Sequence, residues 1–89
     1  MPRQTIMLFI STESPTHSFA RRQVELACQR AFAGACPAEI KTVDVGLHAE
    51  LAEKYNIEAL PTVIVGERRI IGIPELERLS EYLGGALQS

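Results

Sequence analysis

Hydrophobic positions change their period several times along this chain, and each change marks an element. Ile6–Ile10 is a continuous apolar run of strand length, the pattern of a strand buried on both faces. Ser11–Pro15 follows as turn chemistry. From Thr16 to about Ala33 the residues Ala20, Val24, Ala27, Cys28 and Ala31 recur three or four apart, which predicts a helix with one buried stripe. Gly34 stands where a helix C-cap glycine belongs. Glu39–Val45 alternates, with Ile40, Val43 and Val45 as the apolar positions of a second strand. His48–Tyr55 predicts a short helix, stopped by Asn56 in a left-handed conformation. Thr62–Val65 and Arg68–Ile71 predict two strands joined by Gly66-Glu67, a type II′ hairpin signal. A last helix begins near Pro74, buries Leu76, Leu79 and Leu83, and ends at Gly84-Gly85.

The predicted fold class is α/β, in the order βαβαββα: a mixed four-stranded sheet flanked by three helices, in one domain spanning residues 1–89. A helix joins the first two strands, so they should be parallel with a right-handed crossover.

The 89 residues include 46% hydrophobic and 22% charged positions with a net charge of −2, which argues against a nucleic-acid binder needing a basic face. No apolar run approaches the ~20 residues of a membrane span. Ile6–Ile10 is also shorter than a signal-peptide core of ~7–15 residues, so a cytoplasmic location is expected. Cys28 and Cys36 do not make a disulfide framework, and a reducing compartment would keep them as thiols. Cys28 reads as a small core hydrophobe and Cys36 as an incidental loop thiol. With His17 and His48 as the remaining soft ligands, and no knuckle spacing among them, neither a metal nor a cofactor is expected.

Three stretches, "VDV" with "LAEKY", "ALPT" and a hairpin ending in Gly72, resemble the second half of the thioredoxin fold, and the first half agrees in element order. The resemblance covers roughly Thr5 to Leu83. It implies that the Leu60-Pro61 bond is cis and faces the turn after the first strand. Thioredoxins and glutaredoxins place Cys-X-X-Cys in that turn, where the helix N-terminus stabilises a thiolate. Here the turn reads Ser14-Pro15-Thr16-His17-Ser18, with no cysteine within ten residues of Ser14. The Ser14–Ser18 spacing does not match Cys-X-X-Cys, which argues against these serines standing in for that pair. Within the superfamily the turn is most similar to that of KaiB-like circadian clock domains, which share a short polar turn ending in (Ser/Thr)-Pro and a helix without a dithiol. "RRIIG" (Arg68–Gly72) fits the same pattern. A tight Gly66-Glu67 hairpin replaces the longer proline-rich stretch of KaiB, which favours a permanently thioredoxin-like fold.

These features point to a redox-inactive interaction or regulatory module that binds a protein partner in a groove formed by Thr12, Ser14, Pro15, Thr16, His17, Leu60, Pro61 and Thr62. Arg68 and Arg69, on opposite faces of one strand, are either edge protection or an edge interface, through which the chain could also self-associate. No nucleic acid or membrane partner is expected. The alternative is an atypical thiol-disulfide or glutathione-linked oxidoreductase. In that reading Ser14 activates a glutathione thiol; in the plainer one, Ser14 or Thr16 caps the helix. His17 is a candidate general base beside Ser14 or Ser18, or a solvated first-turn residue. The glutamates read as solvated helix faces, with Glu50–Lys54 an i,i+4 pair.

Overall fold

The computed structural model describes residues 4–15 and 17–87. The elements run β1 (Gln4–Ile10), α1 (His17–Ala31), β2 (Ala38–Asp44), α2 (Ala49–Lys54), β3 (Thr62–Val65), β4 (Arg68–Ile71) and α3 (Leu76–Leu87). One sheet carries all four strands in the order β2-β1-β3-β4. β1 pairs parallel with β2 and antiparallel with β3, and β3 pairs antiparallel with β4. The predicted α/β architecture is therefore the observed one. Among the described residues no helix is long and apolar enough to cross a membrane.

Because β1 lies inside the sheet, its alternating side chains feed two cores. Ile6, Leu8 and Ile10 point to one face, where Val24, Ala27 and Cys28 of α1 and Leu79 and Leu83 of α3 close over them. Phe9 points to the other, with Val43 and Ile64, and is covered by Leu51 of α2 and Tyr55 just beyond that helix. The Phe9 and Tyr55 rings meet at 5.7 Å between centroids. At Gly66, φ is +61°, the left-handed first position that a type II′ turn requires.

Several helix ends differ from the sequence reading. α2 ends as expected on Asn56, at φ +52°. The Asn56 N–H donates to the Glu53 carbonyl and the Ile57 N–H to the Ala52 carbonyl, completing a Schellman motif. α1 uses the same closure one residue earlier than predicted. The Gly34 N–H donates to the Gln29 carbonyl at 2.7 Å, so the left-handed position falls on Ala33, at φ +53°, with Gly34 following at +90°. Nor do Gly84 and Gly85 end α3, which continues to Leu87. Burial of Ala86 and Leu87 outweighs the low helix propensity of two glycines. A Cβ on Gly84 would lie 3.7 Å from the Ala31 Cβ, so this glycine sits where α3 crosses α1. On α2, Glu50 turns to His48 Nδ1 (3.6 Å) and Lys54 lies over the Tyr55 ring (5.6 Å), so the anticipated Glu50–Lys54 pair is replaced by these contacts.

The cysteines are the main correction. Cys28 is fully buried on α1, as its place on the inner stripe implied, but it is bonded to Cys36, with Cα atoms 5.2 Å apart. The left-handed turn at Ala33-Gly34 folds the chain back along the helix it has just left. Cys36, expected to be an isolated thiol past the cap, thereby returns to the level of Cys28. Closing so short a loop is worth roughly 2–3 kcal/mol in the chain-entropy description.

Two stability predictions follow from this packing, both checked by chemical denaturation. Ala33→Gly should stabilise the fold by about 0.5–1 kcal/mol, because glycine adopts the left-handed region without the Cβ clash. Leu79→Ala should cost ~2–5 kcal/mol, since its side chain is wholly enclosed between α3 and the sheet.

Candidate functional site

The C-terminal end of β1 delivers the chain into the turn before α1, and the loop preceding β3 approaches from the other side. Between them lies a shallow hollow lined by Ile10, Ser11, Ser14, His17, Ala20, Leu60 and Pro61. Its volume of about 50 Å³ is far below the ~300–1,000 Å³ of a small-molecule pocket. The Leu60-Pro61 peptide is cis. The Pro61 carbonyl accepts the Gly72 N–H at 2.7 Å, which ties this loop to the end of β4. Leu60 itself is 41% exposed, and among the described residues no hydrogen bond engages its N–H or C=O.

The structure thus brings together four of the eight predicted groove residues: Ser14, His17, Leu60 and Pro61. Thr12 lies outside the lining, and its hydroxyl donates to Asp44 Oδ2 at 2.5 Å. Pro15 is exposed on the turn and does not line the hollow. Thr62 is buried and its hydroxyl donates to the Ala59 carbonyl, so it shapes the loop from beneath. Thr16 falls outside the described residues. The choice between Ser14 and Thr16 as the cap of α1 turns on residue 16 and so also lies outside the described residues. Ser11, Ile10 and Ala20 were not predicted. Each is the residue one would reach by asking which strand-end and first-turn positions face a loop, and Ala20 was already visible as the first member of the buried stripe.

The Ser14 carbonyl receives both the His17 N–H (3.3 Å) and His17 Nδ1 (2.8 Å). A carbonyl can only accept, so Nδ1 carries a proton and donates it. Nε2 stands 3.4 Å from the Ser18 hydroxyl, too long for a strong bond. Among the described residues no carboxylate orients this ring, so the pair lacks the third member that activates a serine. Cys28 is roughly 16 Å along α1 from His17 at ~1.5 Å per residue, so the bridge lies away from the hollow. Among the described residues there is no group of three or more His, Cys, Asp or Glu side chains arranged to hold a metal.

Asp44 anchors the turn from the β2 side. Its carboxylate accepts the Thr12 hydroxyl and the Gly46 N–H (2.8 Å), and these bonds, the Thr12 one foremost, hold its pKa below the ordinary 3.8. Of the predicted edge arginines, Arg69 folds back to donate to the Tyr55 and Asn56 carbonyls (2.5 and 3.1 Å) at the C-terminus of α2. Arg68 lies on the opposite face, near Gly85 of α3.

The element order and sheet topology are those of the thioredoxin-like fold. Solved structures similar to the chain include a mutant thioredoxin from Halobacterium salinarum, with TM-score 0.75 and 18% identity over 96% of this chain and 75% of the other. Mitochondrial thioredoxin 3 of Saccharomyces cerevisiae, in its oxidised form, is similar at TM-score 0.72 and 16% identity, covering 96% of this chain and 80% of that one. The NTD_N/C domain of alkylhydroperoxide reductase AhpF from Enterococcus faecalis reaches 30% identity and TM-score 0.67 over 93% of this chain, which spans 39% of that protein's chain. No protein-family model and no curated protein matches the chain.

The Thr12–Asp44 bond makes a pH prediction. A carboxyl whose folded pKa is depressed contributes stability that is present above its unfolded pKa and lost as pH falls through the lower folded value. Thr12→Val should therefore move the Asp44 titration, followed by NMR, up toward 3.8 and weaken the dependence of stability on pH below that value.

Proposed function

We propose that this chain is a redox-inactive, thioredoxin-like interaction module that receives an extended segment of a protein partner across Ser11–His17 and Leu60–Pro61. The observation that carries this reading is the hollow itself: a helix-start turn facing a cis-proline loop, lined by serines and a histidine instead of sulfur. Leu60 supplies what a peptide backbone needs, an N–H and a C=O beside an exposed apolar side chain, at a strand end where β-type pairing can continue. The thiol-free Ser14-Pro15 turn favours a KaiB-like lineage for the module. A cytoplasmic location belongs to the same proposal. It requires the Cys28–Cys36 bridge to outlast cytosolic thiols, and burial of Cys28 works in that direction.

A second reading, thiol-disulfide or glutathione-linked exchange, has one observation in its favour: thioredoxins are among the similar structures. Exchange here would have to proceed at the bridge. An incoming thiolate would attack the half-buried Cys36 sulfur, form a mixed disulfide with it, and expel Cys28 as a thiolate inside an apolar core. A thiolate without solvent or a cation is a poor leaving group, so this step should be slow.

The two readings part in one pair of measurements. Insulin and a glutathione mixed disulfide should be reduced no faster than in a protein-free blank; a rate that disappears in the Cys28→Ser/Cys36→Ser double variant would establish the enzyme instead. Extended peptides selected from a displayed library should perturb the amide signals of Ser11–His17 and Ala59–Thr62, and Pro61→Ala should weaken their binding about tenfold or more. Binding unchanged by Pro61→Ala would remove the groove from the proposal.

A further inference from the structure

The sheet order leaves β2 and β4 as edges, and the two differ in kind. β4 has four residues, and Arg69 is folded back onto α2. β2 has seven, about 23 Å of strand at ~3.3 Å per residue. The Val45 N–H donates to the Ile10 carbonyl, and the parallel ladder repeats every second residue. Glu39, Lys41 and Val43 therefore direct their amides to β1, whereas Ala38, Ile40 and Thr42 direct theirs out of the sheet. An outward edge of this length with open backbone groups is a template for another strand.

We propose that the β2 edge is an interface with a second copy of this chain, paired antiparallel about a two-fold axis at Ile40. The sequence Ala38-Glu39-Ile40-Lys41-Thr42 is complementary to itself in this register. Ile40 of each copy meets its counterpart as a hydrogen-bonded pair, using N–H and C=O groups that already point outward. Glu39 of each copy then stands opposite Lys41 of the other, in the non-hydrogen-bonded positions where side chains approach most closely. Both charged residues are exposed, and among the described residues neither forms an ion pair. Thr42 is held by the Arg21 guanidinium, and Arg21 in turn by Glu25 at 3.9 Å, so the α1 side of the edge is charge-balanced. The product is an eight-stranded sheet running through two chains. A single strand pair buries less than a standard interface, so the dimer is weak and concentration-dependent.

The charges give the test. Sedimentation equilibrium should place wild-type protein in a monomer–dimer equilibrium below about 1 mM. Glu39→Lys and Lys41→Glu, made separately, each turn both cross-chain pairs repulsive and should weaken the dimer about tenfold or more. An equimolar mixture of these two variants restores opposite charges at every pair and should dimerise as wild type does. A wild-type protein that stays monomeric to ~1 mM, a dimer indifferent to either substitution, or a mixture that fails to recover would each overturn the proposal. So would a dimer lost on Arg68→Glu but kept in both β2 variants, which would place the interface at β4.

Discussion

Everything in this molecule is referred to β1, the strand with a neighbour on each side and a packed layer on each face. Its pairing is parallel to β2 and antiparallel to β3, so the chain needs a helical crossover on one side and a long return through α2 on the other. Ile6, Leu8, Phe9 and Ile10 are so thoroughly enclosed that a one-residue slip would exchange the contents of the two cores. That constraint fixes where β1 ends, and the candidate site is built at that end. The hollow has its floor in Ile10 and Ala20 because the last strand residue and the first turn of α1 are already held by the core.

The loops around the hollow are held by separate ties. Thr12 is bound to Asp44 at the end of β2, Pro61 to Gly72 at the end of β4, and His17 to Ser14 within the turn. Each tie engages a side chain or a carbonyl of the loops themselves. Thr12 and Thr62 spend their hydroxyls on Asp44 and Ala59, and the His17 ring gives its Nδ1 proton to a carbonyl. What is left facing solvent is shape, an apolar leucine and backbone polarity. In the proposed reading these properties serve recognition of a peptide backbone.

Much of this was legible in the sequence because period and turn chemistry act locally. The apolar run Ile6–Ile10, the stripe on α1, Asn56 and the Gly66-Glu67 turn each announce themselves within a few residues. What escaped was decided by tertiary geometry. Gly84 and Gly85 read as a stop, yet α3 continues because Ala86 and Leu87 have a core to enter. Gly34 drew attention from Ala33, where the left-handed turn is made. The disulfide was missed by placing Cys36 by its distance along the chain, whereas the cap reverses the chain and brings the two sulfurs together. At the site, Ser14, His17, Leu60 and Pro61 share one hollow, but the direction of the other side chains was not available from the sequence. Whether Thr12 faces a partner or Asp44 depends on the relative placement of two strand ends.

The groove and the β2 edge are geometrically independent, and that has a consequence for binding. Among the described residues none that lines the hollow belongs to β2, and Ile10 at its floor meets that strand at the far end, beside Asp44 and Val45. Pairing about Ile40 therefore leaves the groove of each copy exposed. A dimer of this kind presents two identical sites on one rigid sheet, so a partner with two suitable segments would bind the second at an effective concentration set by its linker. A groove too shallow to hold a single segment tightly could then act at low concentration. Weak self-association and weak peptide capture would each supply what the other lacks.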